Sequence, residues 1–440
     1  MPNWRRQIDN ILGVKSMKRC VLMVIFITML GFYSVRADWP QYLGPNRNSI
    51  SSEKGILRTW PQNGPEVLWT VTLGIGFGGP VVKDGNVYLL DRDDKVGDNL
   101  RCFDLSSGKE LWNFAYEAPG SVMFPGSRSV PTIDGNHVYS CGPYGDLYCI
   151  DINTHKPVWN KNVWKDFGGG QIPRWAITQC PLIYGDLLIL ASQAPQAGVV
   201  AYEKLTGNVK WTTPSLGRVG YVSPSIVKVS GQDHLVMITA SAGGFGKSPS
   251  GGKVVGIDPL TGKTLWEYTN WHCMIPVPSA VDAGEGRVLI TGGYNAGAAM
   301  IKVEKKPDGS YGVTELYKTV EFGAHTQPPI LYNGYFYAQY TTNERRDGMV
   351  CMSIDGQIKW KTGRSPLFDK GGSILADGLL LSTDGREKLY LIEPDPSAFK
   401  PLATAELLEA GKNQNWAALA LADGKLLIRD QKQMKCVVVR

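Results

Sequence analysis

The sequence predicts an all-β protein, an eight-bladed β-propeller of four-stranded blades in which the N-terminal strand closes the last blade. Three observations predict it. A glycine turn followed by a strand that ends in tryptophan recurs at Asp104 to Trp112, Asp151 to Trp159, Glu203 to Trp211 and Asp258 to Trp266, with a degraded copy ending at Trp360 and Tyr317 standing where another tryptophan is due. Successive markers, at 112, 159, 211, 266, 317 and 360, lie 43 to 55 residues apart, the period of a propeller blade. Ahead of each marker comes a short apolar strand, a tight turn and a second apolar strand.

Eight such turns can be read in order: Asp84-Gly85, Asp134-Gly135, Tyr184-Gly185, Ser230-Gly231, Gly284-Glu285-Gly286, Asn333-Gly334, Asp377-Gly378 and Asp423-Gly424. Asp-Gly and Asn-Gly suit two-residue hairpins because the turn needs positive φ. Several first strands open on proline (Pro80, Pro131, Pro181, Pro329), where no ladder donor is required. The eighth unit has room for three strands before Arg440, while Gly64 to Trp69 is a marker strand with no blade before it. The N-terminal strand is therefore expected to complete the last blade, which removes an open edge.

The stretch Asp258-Pro259-Leu260-Thr261-Gly262-Lys263-Thr264-Leu265-Trp266 resembles the tryptophan-docking repeat of the pyrroloquinoline quinone (PQQ) propeller superfamily. It is similar to repeats of PQQ-dependent dehydrogenases and of the periplasmic outer-membrane assembly lipoprotein. Trp39 to Arg47 resembles the lead-in of secreted PQQ-like propellers. The likeness covers about residues 65–440 and implies a fold, which does not by itself imply an activity.

Residues 1–37 read as a signal peptide: Lys18-Arg19, an apolar run from Val21 to Phe32, and Val35-Arg36-Ala37 ahead of the cleavage point. The run is shorter than the ~18–20 residues a membrane span needs, so no span is expected after cleavage. The expected location is periplasmic or secreted. Six of the 46 Lys/Arg and one of the 40 Asp/Glu fall in that segment, leaving 40 against 39 and a net charge of +1. Nothing in that balance predicts capture of nucleic acid. Residues 38–64 are turn-rich and are expected to lie as an extended strap on the propeller, and 65–440 to form the propeller itself. Leu402 to Ala410 carries a weak helical pattern. Seven cysteines follow the signal segment; Cys102, Cys149, Cys351 and Cys436 share one slot in four repeats, which reads as a small buried side chain. Cys141 and Cys149 flank Gly145 symmetrically and are candidates for a cross-strand disulfide.

In propellers of this type the residues before each blade's first strand line the channel mouth, where ligands enter. Here that register gives Phe77, Arg128, Thr178, Tyr221, Pro276, Thr326, Lys370 and Asn415, with Arg174, Trp175, Gln179, His272, His325, Gln327, Asp369 and Trp416 beside them. Aromatic walls with a few polar groups make a binding site the expectation. The ligand-binding candidates are Arg128, Arg174, Trp175, Gln179, Tyr221, His272, His325, Gln327, Asp369, Lys370 and Trp416. The favoured function is a non-catalytic binding or scaffold module with a protein, peptide or glycan partner, and no cofactor is predicted. The alternative that the resemblance carries is a PQQ-dependent oxidoreductase acting on an alcohol or sugar, with calcium. Against it, the chain has no adjacent cysteine pair and no Cys-x-x-Cys-His haem attachment, and Asp369 is the only carboxylate in the mouth set. No catalytic residue and no metal ligand is assigned.

Other motifs fall short. Gly243 to Ser248 resembles a phosphate loop but has Ser241 at the first required glycine and lies between strands. Asp91, Asp93, Asp94 and Asp98 are expected to form a solvated acidic loop, with a weak calcium site as the alternative, since the order of a calcium hand is missing.

Overall fold

Tight turns and short strands alternate along the chain, and the structure, a computed structural model, describes residues 37–243, 250–342, 345–411 and 415–440. Among the described residues the strands form eight sheets, each with four antiparallel strands and one with a fifth, parallel strand added; the four-stranded units of seven of them are contiguous in chain order. Their first strands are Val81–Lys83 in blade 1, Thr132–Asp134 in blade 2, Leu182–Tyr184 in blade 3 and Ser225–Val229 in blade 4. Blades 5 to 8 begin with Val281–Asp282, Ile330–Tyr332, Ser373–Ala376 and Ala420–Ala422. First strands of neighbouring blades touch, blade 8 to 1, 1 to 2, 2 to 3, 4 to 5 and 6 to 7, so they line the central channel. Blade 8 takes its outer strand from the N-terminal side of the chain: Val67–Thr72 pairs antiparallel with Gln433–Val438, with Trp69 opposite Cys436. The expected closure is what the chain builds.

The recurring glycine and tryptophan lock one blade to the next. A Cβ on Gly108 would come within 2.6 Å of the Trp69 ring, one on Gly207 within 2.7 Å of Trp159, and one on Gly262 within 2.5 Å of Trp211. These glycines also sit at φ of +70° to +75°, a conformation that a side chain disfavours. Each indole thus lies flat on the turn of the following blade. Trp69 and Trp159 donate their ring N–H to the Leu105 and Lys204 carbonyls at 3.0 Å, and Trp360 to Asp395 at 2.8 Å. In blade 2 the glycine is replaced by His155, at φ +60°, whose ring stacks on Trp112 at 4.6 Å. The shared cysteine slot has a geometric reason. Cys102, Cys149, Cys351 and Cys436 lie directly across the sheet from Trp112, Trp159, Trp360 and Trp69, where Ala201 and Gly256 stand in other blades. Only a small side chain leaves room for the ring.

Several expectations are corrected. Cys141 faces Leu147, and Cys149 faces Tyr139, so the two thiols are not cross-strand neighbours. All seven cysteines among the described residues are buried and free. Leu402 to Ala410 holds no helix: Lys400–Glu406 is the outer strand of blade 7, because its alternate residues face the sheet. Blades 2 and 3 turn at Gly135-Asn136 and Gly185-Asp186, one residue later than expected. The signal segment, and most of the glycine-rich loop at 244–249, lie outside the described residues. No helix among the described residues is long and apolar enough to cross a membrane.

The segment from Ala37 to Arg58 runs into the channel rather than along the outside of the propeller. Trp39 exchanges two backbone hydrogen bonds with Val82 of blade 1 at 2.9 Å, and Ile133 of blade 2 donates to the Pro40 carbonyl at 2.8 Å. Arg47 donates to the carbonyls of Pro181 and Pro224, just ahead of the first strands of blades 3 and 4. Ile50–Ser51 then adds a parallel fifth strand to blade 7. The Glu53 carboxylate accepts from the Gly424 amide at 2.6 Å, in blade 8. The strap divides the channel into a mouth chamber of about 420 Å³, floored by Tyr42, and a rear chamber of about 640 Å³ bordered by Gln41, Arg47 and Ile50.

Candidate functional site

The mouth chamber is walled by the residues that precede the first strands, as the register predicts. Phe77, Arg128, Thr178, Tyr221, Thr326 and Lys370 all line it, with Trp175, His325, Gln327 and Trp416. Its floor is Tyr42, Val130, Cys180, Ser223, Val277 and Ala418. Phe77 and Trp416 stack at 4.7 Å with an interplanar angle of 26°, and Phe124 leans on both at 6.4 and 5.1 Å. Trp175 meets Tyr221 edge-on at 5.4 Å on the other side of the mouth. Two aromatic groups therefore face one another across a polar gap.

Two cations stand in that wall. The Arg128 guanidinium lies 5.8 Å from the Phe77 ring and donates to the carbonyls of Gly126, Met123 and Phe124. Burial pulls its pKa down to about 10, which leaves it charged at neutral pH. These bonds also fix the loop that carries Phe124. Arg92 holds the same loop from behind, donating to Ala118 and Gly120 at 2.5 and 2.7 Å. Lys370 is paired with Asp369 at 2.6 Å, and Asp369 with Arg386 at 3.0 Å.

His325 is the titratable ring of the chamber. Its Nδ1 has no hydrogen-bond partner among the described residues, and the same holds for Nε1 of Trp416. Burial, with the nearby Lys370 charge adding to it and Asp369 opposing, pushes the His325 pKa down to about 3. The ring is neutral at physiological pH, 4.8 Å from Tyr294.

Four of the eleven expected site residues do not line the chamber. Arg174 sits exposed at the rim, its guanidinium 5.2 Å from the Trp175 ring. Gln179 is buried behind the wall and reaches the Gly220 carbonyl at 3.4 Å. His272 lies in a shallow outer groove with Trp271 and Lys318, its Nδ1 2.9 Å from the Gly251 carbonyl. It comes early in a long loop, and it is Ile275 and Val277 from the end of that loop that reach the chamber. Asp369 is fully buried behind Lys370. Pro276 and Asn415, also in the mouth register, likewise do not line the chamber.

Sequence reasoning missed Tyr42, Phe124 and Tyr294, which line the chamber from the strap, the blade 1–2 loop and the turn between the second and third strands of blade 5. The signal available was their aromaticity next to turn residues, in Phe124-Pro125-Gly126 and Gly293-Tyr294-Asn295.

The acidic stretch in blade 1 is not a solvated loop. Asp91 and Asp98 are buried on strands and paired with Arg101 at 3.1 Å and Arg92 at 2.9 Å. Asp94 also pairs with Arg92, at 2.9 Å. Two arginines absorb three of the four carboxylates, and among the described residues no group of three or more His, Cys, Asp or Glu is placed to hold a metal ion.

The eight-bladed propeller with tryptophan-docked blades is the fold of a PQQ-like repeat protein. Residues 96–362 match the family model described as outer membrane protein assembly factor BamB, and the chain belongs to that family. The quinoprotein ethanol dehydrogenase of Pseudomonas aeruginosa is 24% identical over 226 residues, 46% of this chain and 34% of that enzyme. The match thus spans about a third of the dehydrogenase. A europium-containing methanol dehydrogenase superposes with a TM-score of 0.62 at 14% identity, over 91% of this chain and 89% of that one. BamB from Moraxella catarrhalis superposes with a TM-score of 0.57 at 12% identity, over 85% and 99%. At those identities the structural likeness concerns the fold.

Proposed function

We propose that the protein is a non-catalytic binding module, acting outside the cytoplasm, whose mouth chamber takes a planar, negatively charged group of its partner. The observation that carries this reading is the composition of the wall: the Phe77–Trp416 stack beside Arg128 and Lys370, with no carboxylate lining the chamber among the described residues. Flat rings bury planar groups, and cations attract anionic ones. A protein, peptide or glycan partner with an acidic, flat surface group meets those requirements.

The PQQ-dependent oxidoreductase is the second reading, favoured by the same stack and cations, which suit a planar polyanion. The donor set does not suit the rest of that machinery. A divalent cation needs carboxylate or carbonyl oxygens, and Asp369 is already held by Lys370 and Arg386. A general base works best with a pKa near the working pH, and His325 stands at about 3.

Benzene-1,3,5-tricarboxylate is a suitable probe. Titrated against tryptophan fluorescence, it is expected to give saturable quenching that the neutral triamide does not, with at least tenfold weaker binding in Trp416→Ala. No fluorescence change at millimolar probe would contradict the proposal.

A further inference from the structure

The rear chamber carries a second site. Six of the eight first strands direct a central backbone N–H away from their own blade, at a residue whose cross-strand partner forms a non-hydrogen-bonded pair. By register these are Val82, Ile133, Ile183, Ile226, Leu331 and Leu375, opposite Val87, Val138, Leu188, Leu235, Phe336 and Leu380. The strap occupies three of them: Val82 donates to Trp39, Ile133 to Pro40 and Leu375 to Ser49, at 2.9, 2.8 and 2.9 Å. These three residues are 1, 5 and 3% exposed. The Ile183, Ile226 and Leu331 amides donate no hydrogen bond to the strap among the described residues, and these residues are only half-buried and line the rear chamber.

Among the described residues, the one cation lining the chamber is Arg47. It donates to the Pro181 and Pro224 carbonyls at 3.1 and 3.2 Å and to the Gln41 side-chain oxygen at 3.4 Å, and has no carboxylate within ion-pair distance among the described residues. The nearest lining acid, Asp282, accepts from the Lys228 and Gly284 amides at 2.9 and 2.8 Å. The volume of about 640 Å³ falls in the range of ligand clefts.

We infer that the rear chamber binds an extended peptide that crosses the first strands of blades 3, 4 and 6, its carbonyls accepting from their outward amides, with an acidic residue or C-terminal carboxylate of the peptide on Arg47. The strap demonstrates the mode, since it makes the same backbone bonds to blades 1, 2 and 7, and the open amides continue that interface around the channel. Main-chain bonds give affinity in such an arrangement, and the half-buried Ile183, Ile226 and Leu331 side chains give apolar contact.

The test uses the purified full chain and three synthetic probes: an acetylated hexapeptide of alternating valine and threonine with a free C-terminal carboxylate, its C-terminal amide, and its N-methylated form. The expected result is saturable calorimetric binding of the free acid, at least tenfold weaker for the amide and lost on N-methylation. Amide exchange is expected to slow at Ile183, Ile226 and Leu331. Arg47→Met is expected to bring the free acid to the affinity of the amide. Ile226→Asp, which leaves the strap untouched, is expected to weaken binding at least tenfold by charge repulsion. Absence of binding at millimolar peptide, binding insensitive to N-methylation, or protection confined to the mouth around Trp416 would overturn the proposal. Protection already present without peptide would overturn it too: in favour of the chain's own N-terminal residues if a chain starting at Ala37 lacks it, and of a second copy if it depends on protein concentration.

Discussion

The Asp369 carboxylate is out of water and accepts from Lys370 at 2.6 Å and Arg386 at 3.0 Å. Burial alone raises a carboxylate pKa; here the two cations outweigh it and hold Asp369 below the usual range. A carboxylate depressed in the folded state adds stability that is complete above its unfolded pKa, about 4, and that is lost as pH falls through the folded value. Asp369→Asn strands the Lys370 ammonium in the wall and is expected to cost about 3 kcal/mol. Urea unfolding at pH 7 measures this, and the gap to the parent should narrow below pH 4; equal stability at pH 7 would refute the pairing. The places of Arg128, Trp175, Tyr221, His325, Gln327, Lys370 and Trp416 in the chamber wall were legible from the register of the first strands, whereas Asp369, expected beside them, is buried behind Lys370. Its orientation was not legible, because Arg386 lies 17 residues away and only the fold brings it alongside.

Among the elements, the glycine turn and the docked indole carry the repeat. Gly262→Ala is expected to cost about 2 kcal/mol, from a left-handed φ and a methyl within 2.5 Å of the Trp211 ring. Thermal unfolding checks it, and a variant at parental midpoint would contradict the docking geometry. His155→Gly, at the equivalent turn, relieves the φ but loses the stack on Trp112, so its effect is expected to stay within about 1 kcal/mol. Turns and marker strands were readable because their residue types follow from backbone requirements at a fixed period. The strap was not readable in the same way. Its contacts go to six different blades through backbone atoms and single side chains such as Arg47 and Glu53, and such contacts leave no periodic trace. The same reason hid Tyr42 and Phe124.

For the whole molecule, ring closure and a corked channel set what the protein can do. Removing residues 37–72 deletes the outer strand of blade 8 and the floor residue Tyr42 together. The product is expected to show no cooperative thermal transition by circular dichroism; a sharp transition at the parental midpoint would contradict closure. With the ring closed and the strap in place, the mouth is a chamber with aromatic and cationic walls, and no carboxylate lines it among the described residues. The measurement that tests this most directly is dye-linked turnover by the purified protein incubated with PQQ and calcium, across primary alcohols and aldoses. The account predicts no rate above the protein-free control. Saturable, calcium-dependent turnover that disappears in Trp416→Ala would contradict it and make the chamber an active site.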